Sequence, residues 1–216
     1  MRINPSILSA DFGNLEQALK DIATADAAHI DVMDNHFVPN LTIGMPVVKR
    51  LQQISPIPLD VHLMIENPDT EALRFAEFKV ASITFHLEAA KDPLALIKKL
   101  RQAGVSPAVS VKPATEIEST FEFLDHIDMV LIMTVEPGFG GQQMIEDTLP
   151  KISKLRSEIA ARNLSVSVQV DGGVTRENIG GLAALGADTF VAGSAVFDSG
   201  RPVDNIAALK AAAQTH

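Results

Sequence analysis

A chain of 216 residues with 46% hydrophobic content has the size of one ordinary domain and enough apolar side chain for a sizeable core, so a single domain over residues 1–216 is expected. The formal charge of −9 excludes the basic face on which nucleic-acid binding normally rests, and any anion it binds must be held locally. Cysteine is absent, which excludes disulfides and thiolate metal sites; residues 1–10 hold no long apolar core and no apolar run nears the ~20 residues of a membrane span, so a cytoplasmic protein with no membrane partner is expected.

In chain order, short β-branched runs alternate with amphipathic stretches. Strand 3–8 is followed by helix 15–24, strand 28–33 by helix 45–53, strand 58–64 by helix 69–78 and strand 82–86 by helix 93–102. The second half repeats the pattern: strand 106–111 and helix 116–124, strand 129–133 and helix 145–162, strand 165–170 and helix 176–185, strand 189–192 and helix 204–213. Gly104 and Gly186 read as helix stops, Pro93 as a helix start, and Thr115 or Thr175 as N-caps. Strands that alternate with helices pair in parallel through crossovers. Eight such units predict an α/β fold, a (β/α)8 barrel, although counting alone leaves a doubly wound open sheet possible.

The informative residues sit near the ends of these strands. Side chains at i, i+2 and i+4 of a strand share a face, so His29, Asp31 and Met33 project together, as do Asp60, His62 and Met64. Parallel barrel strands are expected to be apolar on both faces, so these imidazoles and carboxylates need partners. Either His alone reads best as a hydrogen-bonded core residue. Both together, with Asp171 ending the seventh strand, point to a divalent-metal site on the face where barrel enzymes place their chemistry. Gly138-Phe139-Gly140-Gly141, Gly172-Gly173 and Gly193-Ser194 are three successive loops on that rim; a lone Gly pair is ordinarily a tight turn, but three in this position form a candidate phosphate cradle. Met33, Met64 and Met133 read equally well as core filler or as an apolar floor beneath a planar intermediate. His36, His86 and His126 carry no such support and are left out of the chemistry.

The runs NPSILSAD (4–11), HIDVMDNHFVPN (29–40), LDVHLM (59–64), VEPGFGGQ (135–142), VDGG (170–173) and VAGS (191–194) together resemble the ribulose-phosphate 3-epimerase family, essentially from end to end. The resemblance implies a ribulose-phosphate-binding type of TIM barrel, an isomerase of carbohydrate metabolism that interconverts D-ribulose 5-phosphate and D-xylulose 5-phosphate in the pentose phosphate pathway. It implies one divalent metal ion per subunit (Zn, Fe, Mn or Co) held by His29, Asp31, His62 and Asp171, with Asp31 as proton acceptor and Asp171 as proton donor. Ser6 and His62 would touch the sugar; Gly138 to Gly141, Asp171 to Gly173, and Gly193 with Ser194 would line the substrate and its phosphate. A homo-oligomer, dimer or hexamer, is also implied. Thr134 with Glu136, and Val111-Lys112-Pro113, depart from the common family pattern without touching the four ligands.

Inverting C3 of a 2-ketose requires one carboxylate to remove a proton and another to supply one on the opposite face, through an enediolate. Three rival readings are weighed. A D-allulose 6-phosphate 3-epimerase would use the same chemistry in a longer pocket. The related barrel decarboxylases place a Lys in an Asp-x-Lys-x-x-Asp run, where this chain reads Asp31-Val32-Met33. A sugar-phosphate sensor would keep the loops and break the ligand set, which here is whole.

Overall fold

The computed structural model describes residues 1–215. Eight strands run parallel: β1 Arg2–Pro5, β2 Ala28–Met33, β3 Leu59–Met64, β4 Ser82–His86, β5 Ser106–Val111, β6 Met129–Met133, β7 Ser167–Asp171 and β8 Thr189–Ala192. Hydrogen bonding runs β1-β8-β7-β6-β5-β4-β3-β2. The seam between β1 and β2 is closed by a Ser6–His29 bridge, by the Asp26 N–H donating to the Ile3 carbonyl at 3.1 Å, and by the Ile3 N–H donating to Asp26 Oδ2 at 2.9 Å. This is the (β/α)8 barrel, and the open-sheet alternative falls with the closed seam.

The outer ring comprises α1 Leu15–Asp21, α2 Met45–Ile54, α3 Pro68–Ala76, α4 Pro93–Gln102, α5 Leu149–Ala161, α6 Ile179–Ala184, α7 Ser194–Phe197 and α8 Pro202–Ala212. Five of them (α2, α3, α4, α5 and α8) carry Pro in the first turn, where its missing N–H costs no helical bond. Gly104 and Gly186 end helices with φ of 79° and 110°, as expected, and Asn163 does so after α5 with φ of 53°.

Several expectations are corrected. The first strand ends at Pro5, not residue 8, because Ser6 turns the chain into a 3-10 turn, Ile7–Ser9, by accepting the Leu8 N–H. The stretch 116–124 is a 3-10 helix, Ile117–Phe123, rather than an α-helix, and helix 145–162 is a 3-10 turn followed by α5. Thr115 and Thr175 are not N-caps: the Thr115 hydroxyl donates to Glu88, and Thr175 donates its N–H to the Asn178 side chain. The short helix α7 has no counterpart in the sequence reading.

The apolar core lies between barrel and helices. Outward-facing Ile30, Val61, Ile83, Phe85, Val130, Val168 and Phe190 join Leu19, Leu51, Leu96, Leu100, Leu155 and Leu209 of the helices in one buried cluster. The barrel interior is instead mostly polar, with Met33, Met64, Leu131 and Met133 as its larger apolar side chains, contrary to the expectation of strands apolar on both faces. Asn4, His29, Asp31, Asp60, His62, Thr84, His86, Ser110 and Gln169 are all buried on strands or at their ends. Strand register brings His29 beside Asp60 and Asp31 beside His62 on neighbouring β2 and β3.

Candidate active site

At one end of the barrel, His29 and Asp31 of β2, His62 of β3 and Asp171 at the end of β7 each aim one ligand-type atom at a common point, all within 4.8 Å of one another. Asp31 Oδ1 lies 3.4 Å from His29 Nε2 and 3.3 Å from His62 Nδ1, and Asp171 Oδ2 lies 3.7 Å from each of those nitrogens. Among the described residues neither ring nitrogen has a hydrogen-bond partner, although both are buried. Ligands about 2.0–2.1 Å from a tetrahedral cation stand roughly 3.4 Å apart, and the four His–Asp separations, 3.3 to 3.7 Å, are close to that spacing. Four N and O donors of this kind suit Zn, Fe, Mn or Co.

The other nitrogens of the two rings are tied down. His29 Nδ1 sits 2.9 Å from Asp60 Oδ2. The same oxygen receives the side-chain amides of Asn4 at 3.0 Å and Gln169 at 2.7 Å, while Asp60 Oδ1 accepts the Ser82 hydroxyl at 2.7 Å. In the neutral ring an acceptor so placed puts the hydrogen on Nδ1 and leaves the Nε2 lone pair facing the cluster. His62 Nε2 meets His86 Nε2 at 2.9 Å. The sequence reading missed both partners: Asp60 was seen only as sharing a face with His62, and His86 was left out.

Electrostatics separate the two cluster carboxylates. Burial pushes Asp31 up, yet the rings of His29 and His62 more than reverse this and hold it far below the usual carboxylate range. Burial, then the charge of Asp31, pushes Asp171 up to about 6. Burial pulls the His29 imidazole down, but Asp31 and Asp60 together drive it well above the usual histidine value. Asp60 stays ionised because His29, Ser82 and Gln169 outweigh its burial. Such a site draws positive charge, and a divalent ion meets that demand while competing with protons for the same atoms.

Above the cluster opens a cavity of about 400 Å³. Its walls include Ser6, Asp31, Asp171, Gly138, Phe139, Gly140, Gly141, Gly172, Gly173, Gly193 and Ser194, so the expected lining residues come together. The Ser6 hydroxyl donates to Asp31 Oδ2 at 2.5 Å. His62 is the exception: its ring is fully buried beneath the cavity and does not line it. Met33, Met64 and Met133 all reach the wall, the first two packed with Val38 and the third with Leu131 and Val135. Ser9, Gln143 and Asn178 also line it and had no signal in the sequence. Two glycines are required sterically: Gly172, at φ 123°, would place a Cβ 2.6 Å from Val135 Cγ2, and Gly173, at φ 64°, one 2.6 Å from the Met144 backbone nitrogen.

Comparison with known proteins agrees with this geometry. The model of the ribulose-phosphate 3 epimerase family matches residues 2–197. Proteins named ribulose-phosphate 3-epimerase from Mycobacterium tuberculosis, Helicobacter pylori and Candida glabrata are 46%, 41% and 40% identical. The alignments cover 96%, 92% and 96% of this chain and 91%, 92% and 90% of those proteins respectively. Among solved structures, KGPDC from Streptococcus mutans superposes with a TM-score of 0.72 at 17% identity over 98% of this chain and 96% of that one. A 3-hexulose-6-phosphate synthase gives 0.71 at 17% identity over 98% and 99%; at such identities these two share the fold alone. With a family match over residues 2–197 and relatives above 40% identity, the chain belongs to the ribulose-phosphate 3-epimerase family.

Proposed function

We propose that this protein interconverts D-ribulose 5-phosphate and D-xylulose 5-phosphate by proton transfer at C3, with Asp31 and Asp171 as the two proton-carrying groups. The observation that carries the reading is the placement of two carboxylates, one from β2 and one from β7, on one small cluster at the floor of the cavity. In the metal-free protein the two are already pushed apart, Asp31 toward the ionised form that accepts a proton and Asp171, at about 6, toward the protonated form that delivers one. Each keeps one oxygen in the cluster and one outside it. Ser6 orients the outer oxygen of Asp31, and the partly exposed Asp171 side chain borders the cavity. The two exchange roles in the reverse direction.

His29, Asp31, His62 and Asp171 would hold one divalent ion per subunit. When bound, that ion supplies positive charge beside the ketose oxygen on which the enediolate's charge collects. The three methionines give the intermediate an apolar floor that excludes water. The loops at 138–141, 172–173 and 193–194 surround the phosphate at the rim position that barrels use for this group, with peptide N–H groups in place of basic side chains. The relatives' names favour the five-carbon substrate over allulose 6-phosphate. A dimer or hexamer of a cytoplasmic enzyme completes the reading; sedimentation velocity reads the assembly.

The test uses deuterated water. Wild-type product should acquire deuterium at C3 with each inversion. Asp171→Asn should leave exchange on one face, in one epimer, while inversion is lost. Inversion in either Asn variant at more than about a hundredth of the wild-type rate would overturn the two-carboxylate assignment.

A further inference from the structure

Beneath the cluster, a line of side chains runs from His62 outward through His86 to Glu88. The His62 and His86 rings meet edge to edge, tilted by 26° with centroids 5.0 Å apart, and their Nε2 atoms lie 2.9 Å from each other. At that distance one nitrogen carries the hydrogen and the other accepts it. Among the described residues His86 Nδ1 has no hydrogen-bond partner, and it faces Glu88 Oε2 at 3.4 Å. The other oxygen of Glu88 accepts the Lys112 backbone N–H at 2.7 Å and the Thr115 hydroxyl at 2.6 Å. Lys151 holds this loop by donating to the carbonyls of Pro113 and Thr115 at 2.6 and 2.5 Å.

These contacts select between two arrangements. A carboxylate only accepts, so Glu88 favours an N–H, not a lone pair, on His86 Nδ1; at 3.4 Å this is an electrostatic preference more than a short hydrogen bond. A neutral imidazole has one such hydrogen. With it on Nδ1, His86 Nε2 must accept from His62 Nε2–H, which leaves His62 Nδ1 bare toward Asp31 and Asp171. The opposite arrangement points a His62 N–H at Asp31 Oδ1, 3.3 Å away, and a His86 lone pair at Glu88, so the carboxylates at the two ends of the line pull against each other and Glu88 weighs toward the bare His62 Nδ1 that a metal ion needs.

We infer that Glu88 is a positioning residue that, acting through His86, biases His62 toward the tautomer whose Nδ1 is bare and so makes that nitrogen available as a metal ligand. The inference rests on the metal reading of the four-residue cluster and goes beyond it, because Glu88 touches neither cluster nor cavity. It mirrors Asp60 behind His29, so both ring ligands are set by a carboxylate, one directly and one through a second imidazole.

Glu88→Gln tests this sharply. The Lys112 N–H and Thr115 hydroxyl would hold the amide oxygen where Oε1 now sits, which turns the amide N–H groups toward His86 Nδ1 and reverses the line. In nitrogen-15-labelled, metal-free protein, Glu88→Gln should shift the His62 hydrogen from Nε2 toward Nδ1 relative to wild type. Titration with zinc or manganese should then show affinity reduced about 10- to 100-fold, with a smaller loss in Glu88→Ala, where water can accept from His86. Unchanged His62 tautomer in Glu88→Gln would overturn the inference, as would unchanged metal affinity despite a reversed tautomer. Failure of wild type to bind either metal would instead count against the cluster reading, and the metal-free tautomer measurement would still decide the role of Glu88. A thermal melt of each variant separates these effects from misfolding.

Discussion

The chemistry of a single residue here is decided by what lies behind it. Asp31 and Asp171 are the same side chain in the same cluster, yet two imidazoles keep one ionised while burial beside the other's charge raises the second. Asp60→Asn should retain the fold, since the amide can offer its N–H to Ser82 and its oxygen to Asn4, His29 and Gln169. The lost charge should weaken metal binding roughly tenfold or more, measured by metal titration; equal affinity would contradict the role assigned to Asp60. His86 offers a pH test. Burial pushes it from 6.5 down to about 4. The unfolded chain therefore gains a proton there as pH falls through 6.5, while the metal-free fold resists until about 4. Its neutral state costs stability progressively over that window, by about 3 kcal/mol in all at ~1.36 kcal/mol per unit. His29, with its raised value, acts in the opposite sense, so the comparison must be between proteins: His86→Gln should lose less stability than wild type between pH 7 and 4.5 in urea unfolding. Parallel curves would contradict this. The sequence carried the face shared by His29 and Asp31, but nothing local marked Asp60, whose partners Asn4 and Gln169 are 56 and 109 residues away. His86 and Glu88 share a strand end whose meaning appears only when β3 and β4 are placed side by side.

Elements were legible where one physical rule governs them. Strands β2, β4, β5, β6 and β8 match their expected bounds because a buried parallel strand is a short apolar, β-branched run bounded by turn residues. Reading failed where a side chain diverts the backbone, as Ser6 does after β1, or where helical periodicity is satisfied by a 3-10 path, as over Ile117–Phe123. The glycine loops were recognised as loops, but which glycines are indispensable depends on approach distances. Gly172→Ala would force a left-handed residue against Val135 and should destabilise by about 1–3 kcal/mol while raising KM through a displaced rim. Gly181→Ala, inside α6 with open space around it, should stabilise by about 0.5–1 kcal/mol with kinetics unchanged. Thermal denaturation checks both signs; a neutral or stabilising Gly172→Ala would remove the argument that close approach fixes this turn.

At the scale of the molecule, the barrel divides its labour between two sides of one sheet. Apolar side chains on the outward face bind strands to helices, and the inward face is free to carry carboxylates, imidazoles and amides that pin one another. This division was hidden in the sequence, because alternation within a strand shows that two faces differ without showing which faces the helices. The overall charge of −9 fits an enzyme that holds its anionic substrate with peptide groups at one rim, not with a basic field. The central claim is that one ketose phosphate is epimerised at a four-ligand metal site. Its most direct test is a coupled assay of xylulose 5-phosphate formation from ribulose 5-phosphate, with allulose 6-phosphate in parallel, before and after exhaustive chelation and after return of a divalent ion. Pentose turnover that disappears with chelator and returns with metal is the predicted result; turnover indifferent to chelation, or preference for the hexose, would contradict it.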